Sequence, residues 1–189
     1  MINKKIRILD VLISTLLLVI FFPILVLISL LILIFYGRPI IYRQFRVGYK
    51  GKKFLIFKFR TMTNNLLNDE SLRLTNLGKF LRRTSLDELP QLFNVLIKDM
   101  SIVGPRPLPE TIENNIDSTL KKKRREILPG ITGMSQINFS GKNRKLSDKI
   151  ILDLNFVSNY NLYNYLKILS KTPYILILRL LKNKTTIIK

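Results

Sequence analysis

The sequence predicts a membrane-associated α/β protein, in which a hydrophobic N-terminal segment precedes a small basic domain with short strands. A run without any charged residue covers residues 11–37, and the chain after it combines a strand pattern with stretches of helical periodicity. The 189 residues carry a formal charge of +20, yet 47% of them are hydrophobic. A basic and hydrophobic chain favours a membrane surface over a disordered basic tail.

The composition limits the chemistry that this chain can perform. It contains neither cysteine nor histidine, which excludes disulfides, thiolate nucleophiles, Cys/His zinc sites and Ser-His-Asp arrangements. Catalysis would depend on carboxylates, lysine, arginine, tyrosine or hydroxyl groups, together with a hard metal bound through oxygen. The positive charge predicts a polyanionic partner, which could be a phosphorylated substrate, an anionic lipid or a nucleic acid.

Residues 1–40 are predicted to enter the membrane, because their uncharged run exceeds the roughly 20 residues that span a bilayer. Pro23 lies near the middle and lacks a backbone N–H, which predicts a kink or break in the helix. Basic residues flank both ends, and the positive-inside rule then favours the cytoplasmic side for both. A re-entrant helix–break–helix fits these observations, and a kinked spanning helix is the alternative.

A strand is predicted at residues 53–62, which are rich in aromatic and branched side chains. Alternation along the strand places Lys58 and Arg60 on one face, together with Phe54 and Ile56. The two cations could bind a phosphate, or their face could be a solvated edge of the sheet.

Two adjacent carboxylates, Asp87 and Glu88 (the acid pair), are predicted to lie in the first turn of an amphipathic helix at residues 85–96. The N–H groups of a helix N-terminus favour an anion there. A purely structural interpretation is that Ser85 and Glu88 form a capping box. With Asp87 as the cap, Pro90 falls in the third helical position, where no intrahelical bond is lost.

Arginines are the candidate phosphate ligands near the acid pair. Arg82 and Arg83 precede it directly and could neutralise the acids or hold a phosphate beside them. Gly-Pro-Arg-Pro at residues 104–107 predicts a rigid turn that presents Arg106, either to a phosphate or to solvent. The basic run at residues 121–125 is typical of a solvated face, although beside a membrane it could bind anionic headgroups.

The last part of the chain is predicted to be mostly helical. Residues 129–133 first form a glycine-rich turn, which has neither Walker A nor GxGxxG spacing and gives a Rossmann fold no support. In a helix at residues 148–160, Asp153 is available for a salt bridge or for the active site. Thr172 and Pro173 then predict the start of a short helix, which could lie in the membrane interface or in the core.

Five motifs in this order closely resemble the small monotopic phosphoglycosyl transferases, the bacterial sugar transferase family. They read Gln-x-Arg-x-Gly at 44–48, Phe-Lys-Phe-Arg-Thr-Met at 57–62, Ser-Leu-Asp-Glu-Leu-Pro-Gln-Leu-x-Asn-Val-Leu at 85–96, Asp-Met-Ser-x-Val-Gly-Pro-Arg-Pro at 99–107 and Pro-Gly-Ile-Thr-Gly-x-x-Gln-x-Asn at 129–138. The resemblance covers nearly the whole chain, and its length and order argue against a chance match.

The resemblance implies a reaction. Members of the family transfer a sugar phosphate from a nucleotide diphosphate sugar, usually a UDP-sugar, to a polyprenol phosphate such as undecaprenyl phosphate. Carried onto this chain, Asp87 is the nucleophile that forms a covalent phosphosugar intermediate, Glu88 assists it, and Mg²⁺ sits with Asp87 and the diphosphate. The expected substrate-binding residues are Lys58, Arg60, Arg82, Arg106, Gln136 and Asp153.

The resemblance also implies a monotopic architecture in the bacterial inner membrane. It comprises a re-entrant segment at residues 1–40, a catalytic domain at 41–160 on the cytoplasmic face and interfacial amphipathic helices at 161–189. Expected partners are the nucleotide diphosphate sugar, the polyprenol phosphate and the membrane, with no nucleic acid; a homodimer is left open. The chain departs from the family in three ways. The residue before Pro23 is Phe22, the Gly-Lys-Asn motif at 141–143 is displaced, and tryptophan is absent. These departures leave the sugar unassigned.

Two functions of other classes remain as alternatives. A membrane-tethered nucleic-acid-binding protein fits the charge, but the aromatic residues lie among branched apolar ones, as in a core and not a stacking platform. A membrane scaffold without catalysis would use the acid pair only as a helix cap. It predicts that Asp87→Asn and Glu88→Gln leave function unchanged.

Overall fold

A computed structural model describes residues 3–63, 73–138 and 145–182 of the chain. Its elements are α1 (Lys4–Tyr36), β1 (Ile41–Val47), β2 (Lys53–Phe59), α2 (Asn76–Thr84), α3 (Gln91–Leu96), β3 (Ser101–Val103), α4 (Glu110–Glu113), α5 (Ser118–Arg124), β4 (Gly130–Thr132), α6 (Met134–Ile137), α7 (Leu146–Ser158) and α8 (Leu162–Lys182). Single 3₁₀ turns lie at Tyr49–Gly51 and Leu86–Glu88. This mixture of helices and strands confirms the predicted α/β class. The displaced Gly-Lys-Asn motif at 141–143 lies outside the described residues.

Two small sheets organise the fold. Strands β1 and β2 form an antiparallel hairpin in which Tyr42 pairs with Lys58 and Arg46 pairs with Phe54. Strands β3 and β4 are parallel, with Ser101 opposite Gly130. The predicted strand at residues 53–62 therefore ends earlier, at Phe59. Within the described ranges the two sheets have two strands each, so the structure contains no doubly wound sheet there.

Helix α1 is one continuous helix of 33 residues, whereas the sequence predicted two helices separated by a break. Pro23 lies inside it, because a proline removes only one backbone hydrogen bond and the helix continues through the turns on either side. Of the described helices, α1 is the one long and apolar enough to cross a membrane.

Both ends of α1 pack against the rest of the protein. Near its start, the buried carboxylate of Asp10 accepts hydrogen bonds from the Ile102 backbone N–H of β3 (2.8 Å) and from the Tyr165 hydroxyl of α8 (2.7 Å). Near its end, Ile28 and Ile32 are buried in a cluster with side chains of β2 and α2. The middle of the helix is mostly exposed and apolar.

The predicted helix at residues 85–96 is wrong at its start. The acid pair lies in the 3₁₀ turn, and α3 begins only at Gln91, directly after Pro90. Ser85 has a φ of 59° and makes no capping hydrogen bond with its side chain, so the capping box does not form. Its left-handed backbone ends α2 and turns the chain, which sets the acid pair outside both helices.

The helical spacing of Leu86, Leu89, Phe93 and Leu96 predicts that these side chains form the buried apolar face, and the buried face of α3 differs from it. Phe93 is 50% exposed, whereas the polar side chain of Asn94 is completely buried. Asn94 accepts a hydrogen bond from the Phe57 backbone N–H (3.0 Å) and donates one to the Leu55 carbonyl (2.7 Å). A buried amide that satisfies the backbone of β2 fixes which face of α3 turns inward.

The C-terminal helices agree with the predictions except at one position. Helix α7 corresponds to the helix predicted at residues 148–160. The helix start predicted at Thr172 and Pro173 is wrong, because both residues lie inside α8, a single helix of 21 residues. The Thr172 hydroxyl donates to the Ile168 carbonyl (2.9 Å) inside the helix and caps no new one.

Candidate active site

A cavity of about 1150 Å³ lies beside the acid pair. Its charged wall comes from the β1–β2 hairpin, α2, the segments around them and the loop after β3, whereas the described side chains of α1 and α8 that line it are uncharged. Among the described residues, the cations that line it are Arg46, Lys58, Arg60, Arg73, Arg82 and Arg106. The surplus of these cations over the acid pair makes the cavity suited to phosphate groups.

Glu88 is held by two of these cations. Its Oε1 atom lies 2.6 Å from the Lys58 Nζ atom and 3.0 Å from the Arg106 Nη2 atom. Burial by itself raises the pKa of Glu88, but the charges and hydrogen bonds of Arg106 and Lys58 outweigh it and lower the pKa to about 2. Glu88 therefore stays ionised at neutral pH, and it orients the side chains of Lys58 and Arg106.

Asp87 has a different environment. It is buried, and within the described part of the chain no cation forms an ion pair with its carboxylate. Burial, together with the adjacent charge of Glu88, raises the pKa of Asp87 to about 6, against the opposing effect of Lys58 and Arg82. The acid pair thus contains one carboxylate fixed by cations and one that is open to a ligand.

The hairpin brings Lys58 and Arg46 to the same face, since alternate residues of paired strands share a face. Arg46 donates to the Gln44 amide oxygen (2.5 Å) and lines the cavity. Arg46 was not among the predicted site residues. Its position two residues after Gln44 on a strand places both side chains on one face, and this spacing could have identified it. Arg73 and Thr61 also line the cavity without having been predicted.

Arg60 lies just after β2 and is buried. Its guanidinium donates to the backbone carbonyls of Met62 (2.8 Å) and Arg38 (3.1 Å). The side chain therefore ties the end of the hairpin to the segment after α1. Its charge still borders the cavity, but its hydrogen bonds are directed to the backbone and not to an open phosphate position.

The turn that presents Arg106 depends on glycines. The Gly104 N–H donates to the Thr132 carbonyl and the Gly130 N–H to the Pro105 carbonyl, both at 2.9 Å. A Cβ atom on Gly130 would lie 2.0 Å from the Gly104 nitrogen. This distance is too short for any residue other than glycine at position 130. The predicted glycine-rich turn at residues 129–133 is thus partly strand β4, packed directly on the Arg106 turn.

A buried cluster of charged side chains contacts the backbone of the turn that presents Arg106. Arg124 donates to the Arg106 carbonyl, to Asp153 (3.1 Å) and to Glu113 (3.2 Å). The prediction of a solvated face is therefore wrong for Arg124, which is only 4% exposed. Of the two possibilities for Asp153, the structure shows the salt bridge, and Asp153 is not among the described residues that line the cavity.

The remaining predicted residues reach the cavity. The Arg82 Nε atom donates to the Thr61 hydroxyl (2.9 Å), and the Gln136 amide donates to the Ile131 carbonyl (2.8 Å). Both side chains line the cavity. The structure thus places the acid pair together with all the predicted substrate-binding residues other than Asp153.

Comparison with known proteins decides the family. The family described as bacterial sugar transferase matches residues 3–179. The chain belongs to the bacterial sugar transferase family. This confirms the resemblance that the five motifs predicted.

Three relatives illustrate the range of this sugar transferase family. The chain is 38% identical over 182 residues to a UDP-glucose:undecaprenyl-phosphate glucose-1-phosphate transferase of Klebsiella pneumoniae, covering 89% of the chain and 39% of the relative. It is 39% identical over 170 residues to an undecaprenyl-phosphate galactose phosphotransferase of Salmonella typhimurium, covering 76% and 34%. It is 45% identical over 145 residues to an uncharacterized sugar transferase, EpsL, of Bacillus subtilis, covering 72% and 69%. The chain therefore spans less than half of the first two relatives.

The carboxylates of this chain fit a magnesium ion only together with the phosphate groups of a bound ligand. Among the described residues, no group of three or more acidic, cysteine or histidine residues could hold a metal. Mg²⁺ is commonly bound by one or two carboxylates together with substrate phosphates. Asp87 suits this role because no cation of the described residues forms an ion pair with it, whereas Glu88 is engaged by Lys58 and Arg106.

Proposed function

We propose that this sugar transferase moves a sugar phosphate from a nucleoside diphosphate sugar, of the UDP class, to a polyprenol phosphate such as undecaprenyl phosphate. The observation that carries the proposal is the buried Asp87 carboxylate, open to a ligand in a cavity with a cationic wall and an apolar wall. Two relatives support the substrate class: one is a UDP-glucose:undecaprenyl-phosphate glucose-1-phosphate transferase and the other an undecaprenyl-phosphate galactose phosphotransferase. The lipid-linked product would begin assembly of a bacterial glycan.

In the first half-reaction, an oxygen of Asp87 attacks the phosphorus that carries the sugar. The bond from this phosphorus to the bridging oxygen breaks, and nucleoside monophosphate leaves with that oxygen. Lys58 and Arg106, which Glu88 holds in place, lie where they can stabilise the negative charge of the phosphates. Mg²⁺ bound at Asp87 and the diphosphate would offset the repulsion between the two anions.

In the second half-reaction, a phosphate oxygen of the polyprenol phosphate attacks the same phosphorus. The bond to Asp87 breaks, and the carboxylate is restored with the polyprenol diphosphate sugar as the product. A covalent intermediate lets a soluble donor and a lipid acceptor use one site in turn. With a pKa of about 2, Glu88 is a poor proton acceptor for either step, which supports a positioning role.

The test of this function is the mass of the intact protein after incubation with Mg²⁺ and a panel of nucleoside diphosphate sugars, without polyprenol phosphate. A gain of one sugar phosphate is expected with one donor, and added polyprenol phosphate should reverse it. No gain with any donor, in folded protein that also releases no nucleotide when the acceptor is added, would overturn the proposal.

The first half-reaction is expected to depend on pH through Asp87. Because burial and Glu88 raise the pKa of Asp87 to about 6, the nucleophilic carboxylate forms as the pH rises through this value. The rate of labelling at low donor concentration should increase about tenfold per pH unit below the midpoint and level off above it. Glu88→Gln removes a negative charge that raises the pKa of Asp87. The pH midpoint of the labelling rate should therefore be lower in this variant than in the unaltered protein. A midpoint near the ordinary aspartate value of 3.8 in the unaltered protein would contradict this assignment.

We also propose that α1 is re-entrant, with the catalytic residues on the cytoplasmic face of the inner membrane. Burial of Asp10 near its start and of Ile28 and Ile32 near its end against the same domain supports this arrangement. A helix perpendicular to the membrane would carry one end away from the domain.

The absence of cysteine makes the topology directly measurable. Lys5→Cys, at the start of α1, and Lys122→Cys, on the exposed surface of α5, are both expected to resist a membrane-impermeant maleimide in intact cells. Both should react after the cells are opened. Labelling of Lys5→Cys from outside, while Lys122→Cys stays protected, would instead indicate a spanning helix.

A further inference from the structure

The apolar wall of the cavity comes from two helices that expose apolar side chains to their surroundings. Leu17 and Phe21 of α1 line the cavity from one side, and Leu169, Ile175 and Leu176 of α8 line it from another. On their outer faces the same helices expose further apolar residues, including Phe22 (63%) and Ile177 (55%). The cavity beside the acid pair is thus bordered by surfaces suited to hydrocarbon.

The inward face of α1 explains why this wall is open. Asp10 and Ser14 are buried at one end of the face and Ile28 at the other, at helical spacing. Leu17 and Phe21 continue the same face between them, yet they are only half-buried and line the cavity. In its middle, α1 therefore covers a space and not the protein core.

Helix α8 forms the other side of this space and is fixed along its length. Tyr165 bonds to Asp10 of α1 (2.7 Å), the Thr172 hydroxyl lies 3.0 Å from that of Thr132, and the Leu180 carbonyl accepts from Arg83 (3.1 Å). The residues of α8 that line the cavity lie between the first and last of these contacts. The space between α1 and α8 is thus held open by hydrogen bonds that tie both helices to the catalytic domain.

We propose that the hydrocarbon chain of the lipid acceptor lies between α1 and α8, against Phe21 and Leu176, while its phosphate reaches the cations beside Asp87. This inference rests on the proposed function. The diphosphate of a nucleoside diphosphate sugar matches the charged wall, and the donor carries no hydrocarbon chain that would lie along the apolar wall. A lipid phosphate has one apolar and one anionic end, and the cavity offers a matching surface to each.

Adjacent residues provide matched controls for this path. Phe21→Ala should raise the KM for a long-chain polyprenyl phosphate about tenfold, because it removes aromatic surface that packs on the chain. Phe22→Ala removes the same side chain from the outward face and should leave this KM unchanged. On α8, Leu176→Ala and Ile177→Ala form a second pair with the same expected contrast, which keeps the test valid if one variant does not fold.

The two half-reactions separate this inference from the proposed function. The mass gain from the donor, measured without lipid, should occur in all four variants, and a phosphate with a very short prenyl chain should abolish the difference within each pair. Equal KM values within both pairs, in proteins that still gain the sugar phosphate, would overturn the lipid path and leave the proposed function standing. No mass gain in the unaltered protein would overturn the proposed function itself.

Discussion

Replacing Asp87 by asparagine is expected to abolish the gain of one sugar phosphate and to reduce product formation by at least about 10³-fold. The amide has nearly the shape of the carboxylate but cannot attack phosphorus. The structure singles out Asp87 and not Glu88, because Glu88 is engaged by Lys58 and Arg106 whereas Asp87 has no ion pair among the described residues. The measurements are intact-protein mass with the donor alone and release of nucleoside monophosphate with both substrates.

Thermal unfolding provides the control for this variant. Since the pKa of Asp87 is raised from 3.8 to about 6, ionised Asp87 disfavours the folded state. The stability is therefore greatest when this group is protonated and falls as the pH rises through that window. At pH 8, Asp87→Asn removes a buried charge and should unfold at the same or a higher temperature. Full transferase activity in the variant would contradict the covalent mechanism through Asp87.

Replacing Arg124 by methionine is expected to lower the free energy of unfolding by about 3–5 kcal/mol, because it leaves the buried Asp153 without its cation and leaves the buried Glu113 with Arg125 alone. Glu113 is 1% exposed and Asp153 3% exposed, and both pair with Arg124. The variant also removes the donor to the Arg106 carbonyl. Arg106 should then lose its fixed position beside Glu88, and activity should fall even at temperatures where the protein remains folded.

Lys122→Met is the matched control for Arg124→Met, since Lys122 is exposed in the same basic run of α5. It should change the free energy of unfolding by less than about 0.5 kcal/mol. Thermal unfolding in detergent measures both variants, and the rate of labelling by the donor reports the position of Arg106. Equal stability of the two variants would show that the buried cluster is not needed for the fold.

Local patterns accounted for the parts of the chain whose structure depends on neighbours in sequence. The uncharged run of residues 11–37 predicted the long apolar helix α1, and aromatic and branched residues predicted β2. The acid pair and Arg106 were identified from short motifs, because the residues of each motif are neighbours in sequence and lie within one turn.

Other assignments failed because distant parts of the chain decide them. Ser85 looked like a helix cap, but its left-handed backbone ends α2 and places the acid pair in a turn. Asn94 is buried because β2 offers unpaired backbone groups 37 and 39 residues away. Arg124 was expected on a solvated face, but buried acids bind it. Arg60 was predicted to bind substrate or to face solvent; it borders the cavity, and its hydrogen bonds go to backbone carbonyls that the sequence did not indicate.

Charge, hydrophobicity and short motifs are properties of the chain alone, and they were enough to predict the class of protein, the family and the residue types at the site. Which carboxylate is open to a ligand, and which is engaged by Lys58 and Arg106, became visible in the folded structure. The folded structure also decided that α1 and α8 form an apolar wall beside the acid pair. The physical reason is that ionisation and burial depend on which side chains the fold brings within a few ångströms, and linear spacing does not contain that information.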